Sequence, residues 1–247
     1  MRGVILEEFP PPPGLPQERD AYMQFVDEIY ISDAYHSRSI EGYRVTPGLI
    51  ERVSSRTWNP EEHDDDGRNR DALMASGYWQ AFQSVNRTVA ATLEGGHPVV
   101  LAKTAHHEWY RKMFQPFVAA GAVAGYRNHA VYLRGSRHVP PRWEIVPHAM
   151  SALFDLLENE SEPAVRASLG HWLIGYVHPF PDGNGRIARF LMNVMLASGG
   201  YPWTVVRVED RNAYMAALEA ASVHGDIQLF ARFLTDCLRR SIRTEGE

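Results

Sequence analysis

The stretch His178-Pro179-Phe180-Pro181-Asp182-Gly183-Asn184-Gly185-Arg186-Ile187-Ala188-Arg189 lies between two apolar, helix-patterned segments and decides how the rest of the chain is read. Gly183-Asn184-Gly185 immediately precedes a helix. Glycine there permits left-handed backbone and close approach, so consecutive N–H groups can form a nest that faces an anion. The positive end of the helix dipole adds to this and makes the loop a phosphate cradle. Arg186 and Arg189 are three apart in the first turn, so both guanidinium forks reach one polyphosphate. Asp182 is a hard oxygen ligand beside the cradle, suited to a Mg²⁺ that bridges phosphates. His178 ends the preceding helix and has the pKa range of a general base. Phe180 reads as an apolar anchor for the loop. The stretch is not a Walker loop, because G-x-x-x-x-G-K-[ST] is absent.

Working outward, helical spacing runs over about 163–177 before this loop and about 186–198 after it. Further helices are expected at about 18–35, 46–53, 71–93, 104–120, 147–158, 211–222 and 227–239, with Thr46 as N-cap and Pro47 at the first helical position. Residues 59–70 are polar and read as a loop. Asp64-Asp65-Asp66-Gly67 within it lacks the closing glutamate of a calcium loop. Ala130-Val131-Tyr132-Leu133-Arg134 alternates and is followed by Gly135-Ser136, which predicts a strand or hairpin. Pro10–Pro13 predicts extended chain. The fold class is therefore mainly α, with one small β element and no internal repeat.

Composition bounds the rest. The 247 residues are 45% hydrophobic and 22% charged with a net charge of −5, which is enough apolar content for a sizeable core. Of 25 basic residues only Lys103 and Lys112 are lysines. A net-acidic chain is a poor general nucleic-acid binder, so no nucleic-acid partner is expected and phosphate recognition has to be local. Cys237 is the single cysteine, which excludes an internal disulfide and points to a reducing compartment. Glu7 and Glu8 followed by prolines form no secretory signal, and no apolar run reaches the roughly 20 residues that cross a bilayer. A cytoplasmic location without membrane contact is expected. His171 and His178 lack a third partner for zinc, and His106-His107 point in different directions.

The quoted stretch matches every defined position of H-x-F-x-[DE]-G-N-G-R-x-x-R, and the chain resembles the Fic family. The likeness extends over roughly 30–239. Gly125-Tyr126-Arg127 through Gly135-Ser136-x-His138-x-Pro140-Pro141 is similar to that family's flap, and Arg211-x-x-Tyr214-x-x-x-Leu218-Glu219 to its downstream helix. The resemblance implies a Fic-type helical bundle with a small β-hairpin flap. It divides the chain into an extended tether (1–17), an N-terminal helical region (18–100), a catalytic core (101–240) and a tail (241–247). It also implies transfer of AMP from ATP to a Ser, Thr or Tyr hydroxyl of a target protein. His178 would be the base and Asp182 the Mg²⁺ ligand. Gly183, Asn184 and Gly185 would hold the transferring phosphoryl group, and Arg186 and Arg189 the β- and γ-phosphates. Gly185, where a kinase-like offshoot of the family has lysine, favours AMP transfer over phosphorylation.

Ser37-Arg38-Ser39-Ile40-Glu41-Gly42 resembles the family's inhibitory [ST]-x-x-x-E-[GN] motif. By that resemblance Glu41 is expected to pair with Arg189 through bidentate geometry and to fill the γ-phosphate space, so that the protein inhibits itself. The same carboxylate could instead orient water to remove AMP from a modified target, and an ATP-binding module without catalysis is the third alternative. Val131, Tyr132 and Leu133 are expected to dock an extended target segment by β-augmentation. Tyr214, Leu218 and Ser222 share one helix face that could line an adenine pocket, although many relatives carry asparagine where Ser222 stands. Self-modification and a homodimer are compatible with this picture.

Overall fold

A computed structural model describes residues 1–55, 57, 70–116 and 125–245. These contain ten α-helices: α1 (Arg2–Glu8), α2 (Arg19–Ile40), α3 (Pro47–Ser54), α4 (Arg70–Leu93), α5 (Pro98–Phe114), α6 (Val146–Glu158), α7 (Pro163–Val177), α8 (Asn184–Ala197), α9 (Arg211–His224) and α10 (Gln228–Glu245). Local chemistry sets several of the boundaries. Thr46 Oγ1 accepts from Leu49 N at 3.3 Å, and Pro47 opens α3, as the sequence predicts. Pro98 and Pro163 occupy the first positions of α5 and α7, where a missing N–H costs nothing. α2 ends in a Schellman cap: Tyr43 N donates to Arg38 O at 3.2 Å and Gly42 N to Ser39 O at 3.0 Å. Gly42 takes the left-handed φ of +86° that this cap requires.

α8 is the axis of the bundle. Every residue from Arg186 to Ala197 is buried, polar ones included, as expected of a helix enclosed on all sides. α7 packs along it, and α4 and α5 also lie against it. α2 crosses α4 and brings the 37–43 segment to the start of α8. The loop between α7 and α8 is thus walled by helices and held at the centre of the fold.

Four sequence expectations change. Residues 130–133 form no strand; among the described residues there is none. The segment makes only a turn, with Ser136 N donating to Leu133 O at 3.1 Å, and its anchors are side chains rather than a neighbouring strand. Residues 1–17 are not an extended tether. α1 packs on α7 and α10 with Ile5 fully buried, and Tyr201 Oη donates to Pro10 O at 2.6 Å. Residues 241–245 continue α10 instead of forming a tail. A boundary between 100 and 101 would cut α5, which starts at Pro98 and ends at Phe114 rather than spanning 104–120. The expected loop before α4, including Asp64-Asp65-Asp66-Gly67, and the end of the 104–120 segment lie outside the described residues.

Candidate active site

α7 stops at His178, whose φ of 50° and ψ of 58° make it left-handed. It is the one non-glycine residue with positive φ among those described. Such a conformation costs an L-residue roughly 1–2 kcal/mol, so the surroundings must hold it. Arg127 does so. Its Nε donates to His178 O at 2.8 Å, Nη1 to His129 O at 2.9 Å, and Nη2 to Pro141 O at 2.5 Å and Val177 O at 3.4 Å. Its own N–H donates to Pro179 O at 2.8 Å. A buried guanidinium therefore clamps the last carbonyls of α7, where the helix dipole favours a cation. Arg127 entered the sequence reading only as part of a motif; nothing in the local pattern announced this clamp.

The turn that follows is closed by side chains. Asn184 Oδ1 accepts from Phe180 N at 2.9 Å while its Nδ2 donates to Phe180 O at 2.8 Å. Asn184 therefore uses both its amide oxygen and its amide nitrogen to close the loop, and its backbone N–H lies at the uncapped helix start. Phe180 is fully buried and stacks on Tyr110 with centroids 4.1 Å apart, the anchor its position predicted. Gly183 has φ +77° and lies against Phe114, whose ring a Cβ would meet at 2.8 Å. No side chain caps α8, so its first amides point out of the loop without an intrahelical acceptor.

The charges gather at this helix start. Arg186 is fully buried, and its Nε, Nη1 and Nη2 have no hydrogen-bond partner among the described residues. Its nearest carboxylate oxygen is Asp182 Oδ1 at 3.4 Å, on a side chain that is half exposed. Asp182 Oδ1 also accepts from Gly183 N at 2.6 Å, and Oδ2 accepts from Tyr43 Oη at 3.2 Å. Arg189 is buried too, but engaged: Nε donates to Ser37 Oγ at 2.8 Å, and Nη2 to Ser37 O at 2.9 Å and Glu41 Oε1 at 3.0 Å. The contact with Glu41 is single rather than bidentate: Nη2 alone donates to the carboxylate, and Nη1 makes no hydrogen bond among the described residues. A Cβ at Gly185 would collide with Glu41 Oε1 and lie 3.2 Å from Arg189 Nη1, so glycine there makes room for the carboxylate.

His178 is held below the ordinary histidine range. Burial is the main cause and the Arg127 charge adds to it, against the Gly175 carbonyl and the carboxylates of Glu41 and Asp182. Its imidazole is therefore neutral near pH 7, as a base must be.

Of the other expected residues, Tyr214 and Ser222 have committed hydroxyls. Tyr214 is buried with Oη 2.6 Å from His171 Nε2, and Ser222 Oγ accepts from Trp172 Nε1 at 3.1 Å. Val131 and Leu133 are half-buried and Tyr132 is 80% exposed. Their segment is tied to α9 through Glu219, which accepts from Ser136 Oγ and, at 2.8 Å, from Arg137 N. It is tied to α7 by His138 Nε2, 2.8 Å from Tyr176 O. Arg211 Nε donates to Ile40 O at 2.9 Å and steadies the end of α2.

Comparison with known proteins agrees with this geometry. Residues 99–196 match the Fic/DOC family model. The chain is 33% identical over 227 residues to protein adenylyltransferase Fic of Nematostella vectensis, an alignment covering 88% of this chain and 49% of that protein. It is 30% identical over 251 residues to the protein of the same name from Aedes aegypti, covering 92% and 46%. The chain thus spans about half the length of the curated relatives it matches. A solved fragment of Fic-1 from C. elegans superposes with a TM-score of 0.75 at 24% identity, covering 99% of this chain and 69% of that one, a likeness of fold. The helix-wrapped H-x-F-x-D-G-N-G-R-x-x-R loop lies inside the matched segment, so that residues 99–196 are similar to the Fic/DOC family in sequence motif and in fold.

Proposed function

We propose that the protein is a Mg²⁺-dependent protein adenylyltransferase that moves AMP from ATP to a hydroxyl side chain of a target protein and is held inactive by Glu41. The observation that carries this is one loop bearing a neutral base, an uncapped helix start and a buried arginine with no hydrogen-bond partner among the described residues. His178 takes the proton of the incoming hydroxyl as its oxygen attacks the α-phosphorus; the bond to the pyrophosphate oxygen breaks and pyrophosphate leaves. The backbone N–H groups of Asn184 and Gly185 at the uncapped helix start face the charge that builds on the α-phosphoryl oxygens. Arg186 and Arg189 bind the β- and γ-phosphates once Arg189 is free.

The donor set fits a magnesium ion. Asp182 offers one half-exposed hard carboxylate next to the anion nest, and substrate phosphates and water complete the shell that this ion prefers. No group of three or more His, Cys, Asp or Glu side chains gathers among the described residues, which fits an ion shared with substrate rather than caged by protein. When bound, it neutralises phosphate charge and orients the leaving group.

Glu41 on Arg189 supports the inhibitory role, since a carboxylate there repels a γ-phosphate from the same guanidinium. The 80% exposure of Tyr132 supports docking of the target at the flap. A reducing, cytoplasmic setting is consistent with the buried free thiol of Cys237, and no helix among the described residues is long and apolar enough to cross a membrane.

The test is incubation of Glu41→Gly protein with α-labelled ATP, Mg²⁺ and a cell lysate. Label on target or on the chain itself should rise at least about tenfold over the unsubstituted protein, the effect of removing one opposed charge. Adding His178→Ala should abolish it. Equal labelling of unsubstituted and Glu41→Gly protein rules out the inhibitory role, and absence of any label with Mg²⁺ rules out the transferase. Release of AMP from a pre-labelled target, lost on Glu41→Gly, would favour the reverse reaction.

A further inference from the structure

Arg186 poses a problem that Glu41 does not solve. Its guanidinium has no exposed surface and three nitrogens without hydrogen bonds among the described residues, so in this state no anion reaches it from solvent. Two aromatic rings flank it, Tyr43 and Phe114, each with its centroid 5.2 Å from Arg186 Cζ. Phe114 is buried at the end of α5 and belongs to the core. Tyr43 is half-buried and lies in the short connection between α2 and α3.

Tyr43 contacts three charged groups beside the loop. Its face lies on Arg186, its hydroxyl donates to Asp182 Oδ2 at 3.2 Å, and Arg38 Cζ is 5.8 Å from the same ring. Arg38 is itself fully buried, and burial, with the neighbouring Arg186 charge, lowers its pKa to about 10. Two buried cations thus share one aromatic ring, which compensates them through its electron-rich face. The Schellman cap fixes the geometry: Glu41, Gly42 and Tyr43 are its consecutive residues, and the hydrogen bonds to Arg38 O and Ser39 O close it as one unit.

We propose that Tyr43 is a second inhibitory contact, covering Arg186 and Asp182 while Glu41 occupies Arg189, and that the cap releases both together. Removing the ring opens Arg186 to phosphate, and removing only the hydroxyl frees Asp182 Oδ2 for a metal ion. The inhibitory segment therefore blocks the whole polyphosphate track rather than its γ end alone. This rests on the adenylyltransferase reading for its purpose, but its test does not depend on catalysis.

The test is calorimetric titration of the full chain with inorganic tripolyphosphate without Mg²⁺, and separately with Mg²⁺ and ATP. Tyr43→Ala, with Glu41 in place, should bind tripolyphosphate about tenfold more tightly than the unsubstituted chain. Tyr43→Phe keeps the ring, so its tripolyphosphate affinity should stay within about twofold while its Mg²⁺–ATP affinity rises about threefold. A folded Tyr43→Ala protein, as judged by circular dichroism, that binds tripolyphosphate no better than the unsubstituted chain overturns the proposal. If that variant fails to fold, Tyr43→Leu decides the same comparison. A gain in Tyr43→Ala without transfer in Glu41→Gly would sustain the cover and remove the transferase reading. Transfer in Glu41→Gly with no gain in Tyr43→Ala does the reverse.

Discussion

His178 is where the chemistry of a single residue decides most. Its left-handed backbone ends α7 just ahead of the loop that leads into α8, and burial keeps the ring neutral. A base whose folded pKa lies below the ordinary 6.5 is competent above that folded value and loses activity as pH falls through it. In the Glu41→Gly background, the acid limb of the pH–rate profile for label transfer should lie below pH 6.5. A limb above 6.5 would mean that the Asp182 carboxylate and the Gly175 carbonyl outweigh burial. Gly183 and Gly185 work at the same scale by what they lack: one adopts positive φ beside Phe114, the other leaves space for the Glu41 carboxylate.

Among elements, the junction of α7 and α8 owes its shape to Arg127, which is separated from the loop by about fifty residues of chain. One guanidinium meets four carbonyls there, and lysine cannot reproduce that fork. Arg127→Lys should destabilise the fold by about 2–3 kcal/mol, the cost of leaving buried groups unpaired. Since Arg127 acts through His178 and not on ATP, the turnover number in the Glu41→Gly background should fall at least about tenfold while KM for ATP stays within about twofold. Equal losses in both constants would contradict a positioning role. The α2 cap is the second junction of this kind: three consecutive residues place a carboxylate on Arg189 and a phenol on Arg186.

At the scale of the whole molecule, the N-terminal segment is part of the core. Ile5 and Phe9 are buried, α1 lies on α7 and α10, and Gly14 N donates to Gly199 O at 3.0 Å. A Cβ on Gly200 would collide with Gly14 O, so the chain passes where only glycine admits it. Burying two large apolar side chains is worth about 1.5–3 kcal/mol each, and the entropy of ordering the segment offsets part of this. Deleting residues 1–9 should lower unfolding free energy by about 2 kcal/mol in urea denaturation, whereas a free tether would change nothing measurable.

How much of this was legible follows from the range of each interaction. Helix periodicity and caps are local, so α3, α4 and α7 lie within a residue or so of their expected bounds. The spacing of Ile5 and Phe9, four apart, would have located α1 had Pro10–Pro13 not drawn the segment towards extended chain. The 130–133 alternation looked like a strand, but a strand needs a partner, and only the tertiary structure shows that its ties run to α7 and α9 instead. By itself the sequence determined the mainly helical class, and it set out the proposed base, ligand, nest and cations of the loop from His178 to Arg189, because these residues lie within one turn and one helix start. It also pointed, through Ser37 and Glu41, to a carboxylate for Arg189, and the structure places it there. Only the tertiary structure decided that Arg127 locks His178, that Asn184 serves the loop, and that Tyr43 seals Arg186. Those contacts join segments about 50 to 140 residues apart or depend on which atoms burial leaves unpaired, and neither is written in local spacing.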